Sequence, residues 1–282
     1  MAGMKDSAAF VDVRRLSVRY EAHTGMLKRL AGKNGAPISA LEDISFKLSV
    51  GSWVTVFGPP ASGKTTLLKT LAGEVAPSSG EVRVNGKDPA TADEELRGYI
   101  CPSSTSSPTV RGFSTTQRLQ AHIESALEKD VPLLLLDDVA DELGVEYVKQ
   151  LLSTVFVGRT GIISTRFAAT AQALELPILL LHQSRLAHQG TAEDIAAAAS
   201  LPRIVDVWLE GVRYDLLRQL RRHPGVTEVR LVPSDQYSGQ RLRVWLRSSH
   251  YLPSLYDVVS QGTLIKIEEL PPSLADLIAR LA

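Results

Sequence analysis

The chain has 282 residues, enough for one large domain or two ordinary ones, each with its own core. Its 31 Lys and Arg balance its 31 Asp and Glu, which removes the electrostatic ground for a nucleic-acid partner. A single cysteine, Cys101, excludes an intramolecular disulfide and suits a reducing compartment.

In chain order, residues 1–7 are polar, so no leader is expected. Residues 10–13 and 16–20 alternate apolar and polar side chains, which predicts two short strands with one buried face. Residues 21–37 are polar, contain Gly, carry His23, Lys28, Arg29 and Lys33, and read as a solvated hairpin or loop. Alternation returns over 41–48 and leads through Gly51 into an apolar run, Trp53-Val54-Thr55-Val56-Phe57. Next come Gly58-Pro59-Pro60-Ala61-Ser62-Gly63-Lys64-Thr65-Thr66 and a helical pattern, Leu67-Leu68-Lys69-Thr70-Leu71.

Strand, glycine-bounded loop and helix in that order are the context of a phosphate-binding P-loop. Gly58 and Gly63 let the backbone curl until successive N–H groups point inward, and the helix N-terminus adds its partial positive charge. Lys64 is placed to reach β- and γ-phosphates, and the Thr65 hydroxyl to sit on Mg²⁺. The chain is therefore expected to bind a nucleoside triphosphate, or to descend from one that did. Further on, residues 81–84 read as a strand ending in an Asn85-Gly86 turn. Ser114 with Gln117 three residues later reads as a capping box before an apolar helix. The four leucines before Asp137 read as a buried strand that delivers a carboxylate to the top of a parallel sheet. No apolar run is long enough to span a membrane, so a membrane would have to come with a partner.

Four stretches resemble the nucleotide-binding subunit of an ATP-binding cassette (ABC) transporter: LEDISFKL, GPPASGKTTLLKTLAGEVAPSSGEVRVNGK, LLLLDD and LLLHQSRLAHQGTAEDI. The likeness runs in register from about residue 11 to about residue 201. It implies an α/β fold, a P-loop NTPase core with an antiparallel strand layer, that dimerises head-to-tail around two ATP molecules with Mg²⁺. Carried over by position, it implies that Tyr20 stacks on adenine and that Gly58, Pro59, Pro60, Ala61, Ser62, Gly63, Lys64, Thr65 and Thr66 cradle the phosphates. It makes Asp137, with Thr65, the magnesium-associated group.

The same likeness exposes departures. Asp138 stands where the family has the Glu general base, and Arg166 where it has a His. Ser103 and Ser104 stand in place of the magnesium-reaching Gln. The family's Leu-Ser-Gly-Gly-Gln signature is Phe113-Ser114-Thr115-Thr116-Gln117; Ser114 keeps a donor for a γ-phosphate, but two threonines crowd the backbone approach. Ser114 thus has two readings, a simple helix cap or a residual ATP contact. Between Tyr99 and Ser114 only a Ser/Thr/Pro-rich stretch replaces the family's helical subdomain.

Beyond residue 201 the pattern changes to strand 204–209, helix 212–222, strand 226–232, strand 242–246, helix 252–259, strand 264–267 and a terminal helix. This order is a ferredoxin-like split β-α-β arrangement. It divides the chain into a cassette domain, 1–201, and a small α+β domain, 202–282, with a dimerisation or regulatory role. Similar modules end ABC-exporter ATPases. His223 and His250 are isolated, and no Cys/His cluster has metal-ligand spacing.

Two functions follow from the resemblance. One is the ATP-binding subunit of an exporter-type ABC transporter with weak or partner-dependent hydrolysis. It would work on the inner face of the cell membrane with membrane-spanning subunits and a second nucleotide-binding subunit. The other is a catalytically inactive, nucleotide-responsive subunit of a membrane assembly. A small-molecule P-loop kinase is disfavoured, because no lid of clustered arginines follows the P-loop domain.

Overall fold

The computed structural model describes residues 9–21, 37–91, 97–101, 114–199, 201–233, 239–270 and 274–281. They fall into two compact units, one within residues 9–191 and one within residues 192–280. The strands of the first unit are β1 (Val11–Tyr20), β2 (Ile38–Leu48), β3 (Trp53–Phe57), β4 (Ser79–Val84), β5 (Arg97–Ile100), β6 (Leu133–Leu136), β7 (Thr160–Thr165), β8 (Ile178–His182) and β9 (Arg185–Gly190). Its helices are α1 (Lys64–Leu71), α2 (Thr115–Glu128), α3 (Val139–Leu143), α4 (Val145–Ser153) and α5 (Ala168–Ala173).

Two sheets form this unit. Six strands in the order β5-β6-β7-β3-β8-β9 make the main one, parallel except for β9. The strand β3, which feeds the P-loop, lies inside it between β7 and β8. An antiparallel layer, β2-β1-β4, is the second. Burial on both faces explains the unbroken leucines of β6. Leu133 and Leu135 enter a core shared with the antiparallel layer and α1, while Leu134 and Leu136 enter a second core with α2 and α3. Each such side chain taken out of water contributes about 1.5–3 kcal/mol.

The two strands predicted at 10–13 and 16–20 are one. Val11, Val13, Leu16 and Val18 all face the core, so the alternation slips by one residue between Val13 and Leu16. A β-bulge absorbs the slip, with Arg15 at φ 45° and a register shift against β2. The Asn85-Gly86 turn forms as expected: both residues have positive φ, 48° and 75°, and Val84 and Lys87 exchange backbone hydrogen bonds across it.

The second unit holds α6 (Ala192–Ala198), β10 (Arg203–Leu209), α7 (Tyr214–Arg222), β11 (Val226–Val232), β12 (Gln240–Leu246), α8 (Leu252–Val259), β13 (Leu264–Leu270) and α9 (Leu274–Leu281). Its antiparallel sheet runs β11-β12-β10-β13. Each β-α-β connection therefore skips a strand, which is the split β-α-β arrangement the sequence predicts. Val205, Val207, Leu242 and Val244 pack under Leu216 and Leu220 of α7 and Leu255 and Val259 of α8. On the alternate residues of the central strands, fully buried Asp206 is held by Arg241 and Arg243.

Candidate nucleotide-binding site

Parallel pairing brings three strand ends together. Phe57 pairs with Thr165, and Leu136 with Ile163, so β3, β6 and β7 finish at the same end of the sheet. The residues that follow them are the P-loop, Asp137 with Asp138, and Arg166.

The loop's glycines are required by space. A Cβ on Gly58 would lie 2.2 Å from the Leu181 carbonyl oxygen and 2.6 Å from Ser62 Oγ. Gly63 has φ +104° and its Cβ would lie 2.4 Å from the Ala40 carbonyl oxygen. Ala61 also has positive φ, 64°, a strain of the kind found at ligand sites. Gly63 is the N-cap of α1, and no side chain caps that helix among the described residues. Its first N–H groups are therefore left for a ligand or water.

Lys64 is almost fully buried and turns back over the loop, donating from Nζ to the Gly58 carbonyl at 2.8 Å and the Pro59 carbonyl at 3.0 Å. Burial pulls its pKa below the ordinary lysine value, and nearby Arg166 adds to this, while Asp138, Asp137 and Asp141 resist it. A cleft of about 390 Å³ lies over the loop, walled by Ile38, Ser39 and Ala40 of β2 and by Asp138 and Arg166. Thr65 is exposed at the start of α1. Half-buried Tyr20 ends β1 with its hydroxyl 3.4 Å from Thr66 Oγ1, beside the same helix turn.

The carboxylates stand in different settings. Asp137 is buried and accepts from Ser164 Oγ at 2.5 Å and from the Tyr99 hydroxyl at 3.0 Å. Asp138 has φ 54°, tolerable for Asp, and its N–H donates to Ser164 Oγ at 2.9 Å. Burial, then the charges of Asp137 and Asp141, raise the Asp138 pKa; Lys64 and Arg166 oppose them. Exposed Arg166 lies with its guanidinium carbon 5.0 Å from the Phe167 ring centroid. Asp141 ties down the turn that presents it, accepting from Thr165 Oγ1 at 2.6 Å and from the Arg166 N–H at 3.3 Å.

Ser114 does not join this cluster through its side chain. It accepts from the Gln117 N–H at 3.2 Å while Gln117 Oε1 accepts from the Ser114 N–H at 2.9 Å, a complete capping box at the start of α2. Ser103, Ser104, Phe113 and all but the ends of the 21–37 interval lie outside the described residues. Sequence reasoning missed Ser164, Tyr99 and Asp141 as partners of the site. Their spacing along the chain carries no motif: the neighbouring positions of β5, β6 and β7 bring Tyr99 and Ser164 to it, and Asp141 comes from α3, which follows Asp138.

Comparison with known proteins agrees with this geometry. Residues 41–101, which span the P-loop, match the family model described as "ABC transporter". The taurine import ATP-binding protein TauB of Roseobacter denitrificans is 38% identical over 90 residues, covering 32% of this chain and 30% of its own length. An ATP-dependent lipid A-core flippase of Burkholderia pseudomallei is 27% identical over 212 residues, covering 57% of this chain and 35% of its own. A bacterial Atm1-family ABC exporter solved with ATP bound superposes with a TM-score of 0.52 at 20% identity, over 70% of this chain and 42% of its own. CbiO1 from Clostridium perfringens, part of an ABC transporter complex, gives 0.51 at 17% identity, over 67% and 91%.

The chain has the fold of an ATP-binding cassette over its first unit. It spans about a third or less of the length of the curated relatives named here. Domains of this family bind ATP, generally with Mg²⁺. The cassette's own residues fit that pair. Ser62 Oγ is buried in the loop with no hydrogen-bond partner among the described residues, and the glycine cradle leaves room for phosphate oxygens. The Thr65 hydroxyl and the Asp137 carboxylate are the hard oxygen donors that Mg²⁺ prefers, with phosphate and water completing its shell. Among the described residues no helix is long and apolar enough to cross a membrane. No group of three or more His, Cys, Asp or Glu among them forms a metal site.

Proposed function

We propose that this chain is the ATP-binding part of an exporter-type ABC transporter that binds Mg-ATP at the P-loop and hydrolyses it weakly or only with a partner. One observation carries the reading: a glycine cradle, a buried lysine and a buried carboxylate converge at one end of the parallel sheet. In this reading the loop N–H groups and Lys64 hold the phosphates. Lys64 leaves the Gly58 and Pro59 carbonyls to reach the β- and γ-oxygens. Mg²⁺, when bound, offsets phosphate charge, and Thr65 and Asp137 hold it with its waters. Tyr20 flanks the adenine.

Asp138 is the general base, one methylene shorter than the family's glutamate. A displacement of about 1 Å lowers a rate on the order of a hundredfold. Arg166 donates to the γ-phosphate in place of a histidine, through a longer and permanently charged group. The exporter assignment draws on the flippase and the Atm1-family likeness. Its partners are membrane-spanning transporter subunits and a second nucleotide-binding subunit, at the inner face of the cell membrane. In this reading the cassette extends to residue 201, ten residues past the end of the first compact unit at Thr191, and 202–282 is a dimerisation or regulatory domain.

A second reading, a nucleotide-responsive subunit without hydrolysis, is favoured by Ser114. Its hydroxyl is engaged in the capping box, so a γ-phosphate contact across a dimer would have to displace Gln117. Turnover of Mg-ATP by the purified chain, against Lys64→Ala, separates the two. Slow turnover lost in Lys64→Ala supports the first reading. Binding with turnover equal to the variant's supports the second.

A further inference from the structure

We propose that Ser164 is the positioning residue of this site, orienting the magnesium-side carboxylate of Asp137 and the turn that presents Asp138 through one shared hydroxyl. The inference rests on the nucleotide reading above.

Ser164 is fully buried in β7, following Ile162 and Ile163 and preceding Thr165. An apolar side chain would suit such a position by packing alone, and a hydroxyl there is unfavourable unless it is used. It is used on both sides. Ser164 Oγ accepts the Asp138 N–H at 2.9 Å and lies 2.5 Å from Asp137 Oδ1, against 3.4 Å from Asp138 Oδ1. The hydroxyl has a single proton, and these distances assign it to Asp137.

The other Asp137 oxygen, Oδ2, accepts the Tyr99 hydroxyl at 3.0 Å. An aspartate carboxylate otherwise turns easily about its last bond. Here two donors hold it, one from β5 and one from β7, the strands on either side of β6. A carboxylate has about four acceptor positions, so one remains on each oxygen for magnesium or its bound water. Residue 138 gains from the same atom. Its N–H, at φ 54°, finds Ser164 Oγ as acceptor, which fixes the bend from which the Asp138 side chain meets the cleft. Outer partners of this kind set metal affinity, and their loss typically weakens it tenfold to a hundredfold.

The test titrates Mg²⁺ against a fluorescent ATP analogue at fixed concentration, using the full chain. For Ser164→Ala, the Mg²⁺ needed for half-maximal binding is expected to rise about tenfold, whereas binding in EDTA changes less than twofold. Tyr99→Phe keeps the ring, removes the second donor and is expected to raise the requirement in the same direction. Thermal unfolding without ligand reads the purely structural part. A Ser164→Ala protein that melts lower yet keeps the wild-type Mg²⁺ requirement overturns the inference. Should that variant not fold, an unchanged requirement in Tyr99→Phe overturns it instead. A wild-type chain that binds no nucleotide overturns the nucleotide reading, and this inference with it.

Discussion

Gly63→Ala tests whether the cradle is fixed by backbone geometry. At φ +104° an alanine is strained by roughly 1–3 kcal/mol before any contact is considered. Its Cβ would also lie 2.4 Å from the Ala40 carbonyl oxygen and 2.6 Å from Leu41 Cδ2. Ala40 belongs to β2, whose neighbours Ser39 and Leu41 pair with Arg19 and Val18 of β1, so the oxygen cannot withdraw without disturbing a ladder. Overpacking of this kind adds about 1–3 kcal/mol, for a total of about 2–6 kcal/mol. Gly86→Ala is the matched control: φ is +75°, but nothing lies within 4 Å of the added Cβ, which leaves only the backbone strain. At about 2–4 °C per kcal/mol for a domain of this size, Gly63→Ala should lower Tm by roughly 5–20 °C and Gly86→Ala by a few degrees. Thermal unfolding by far-UV circular dichroism gives both values. Equal losses for the two variants would refute the argument from the Ala40 contact.

Two further substitutions examine the charges. The Asp138 pKa is raised in the folded state, so between its unfolded value, about 3.9, and its folded value the native protein holds the extra proton. Stability therefore falls as pH rises through that window and stays lower above it. Asp138→Asn should flatten that fall and melt higher than wild type at pH 7; a lower Tm with an unchanged pH slope contradicts this. For Asp206, burial pushes the pKa up, but hydrogen bonds from Arg243 and Arg241 outweigh it and hold the group below its usual range. The stability it contributes is present above the unfolded pKa and is lost as pH falls through the folded one. Asp206→Asn breaks a buried ion pair, and because Arg241 and Arg243 remain 18% and 30% exposed, the loss should sit near the lower end of the usual range, about 3 kcal/mol. Urea unfolding of the full chain measures it, and a loss under about 1 kcal/mol contradicts the buried-pair account.

The parts of the site that lie on contiguous sequence were legible before the fold. The P-loop announces itself because strand, glycine spacing and helix are local, and Asp137 because four buried leucines precede it. The ferredoxin-like order was legible for the same reason: each strand and helix has its own period, and the split arrangement follows from their sequence. The bulge at Arg15 was not, since a phase slip in one strand and a break between two strands read alike along the chain. Nor were the donors of Asp137. Tyr99 and Ser164 lie 38 and 27 residues from it, and only the strand order brings them to the same carboxylate. Ser114 stood between a cap and a phosphate contact in the sequence, and in the structure its hydroxyl completes the cap.

The most direct measurement is equilibrium binding of Mg-ATP to the purified chain by isothermal titration calorimetry, with Lys64→Ala alongside. Saturable binding to wild type, with affinity at least a hundredfold weaker in Lys64→Ala, is the expected result: it corresponds to about 2.7 kcal/mol for a buried cation meeting phosphate. Equal affinity for both proteins, or no binding to either, would contradict the central claim that the cradle formed by Gly58–Thr66 is a nucleotide site.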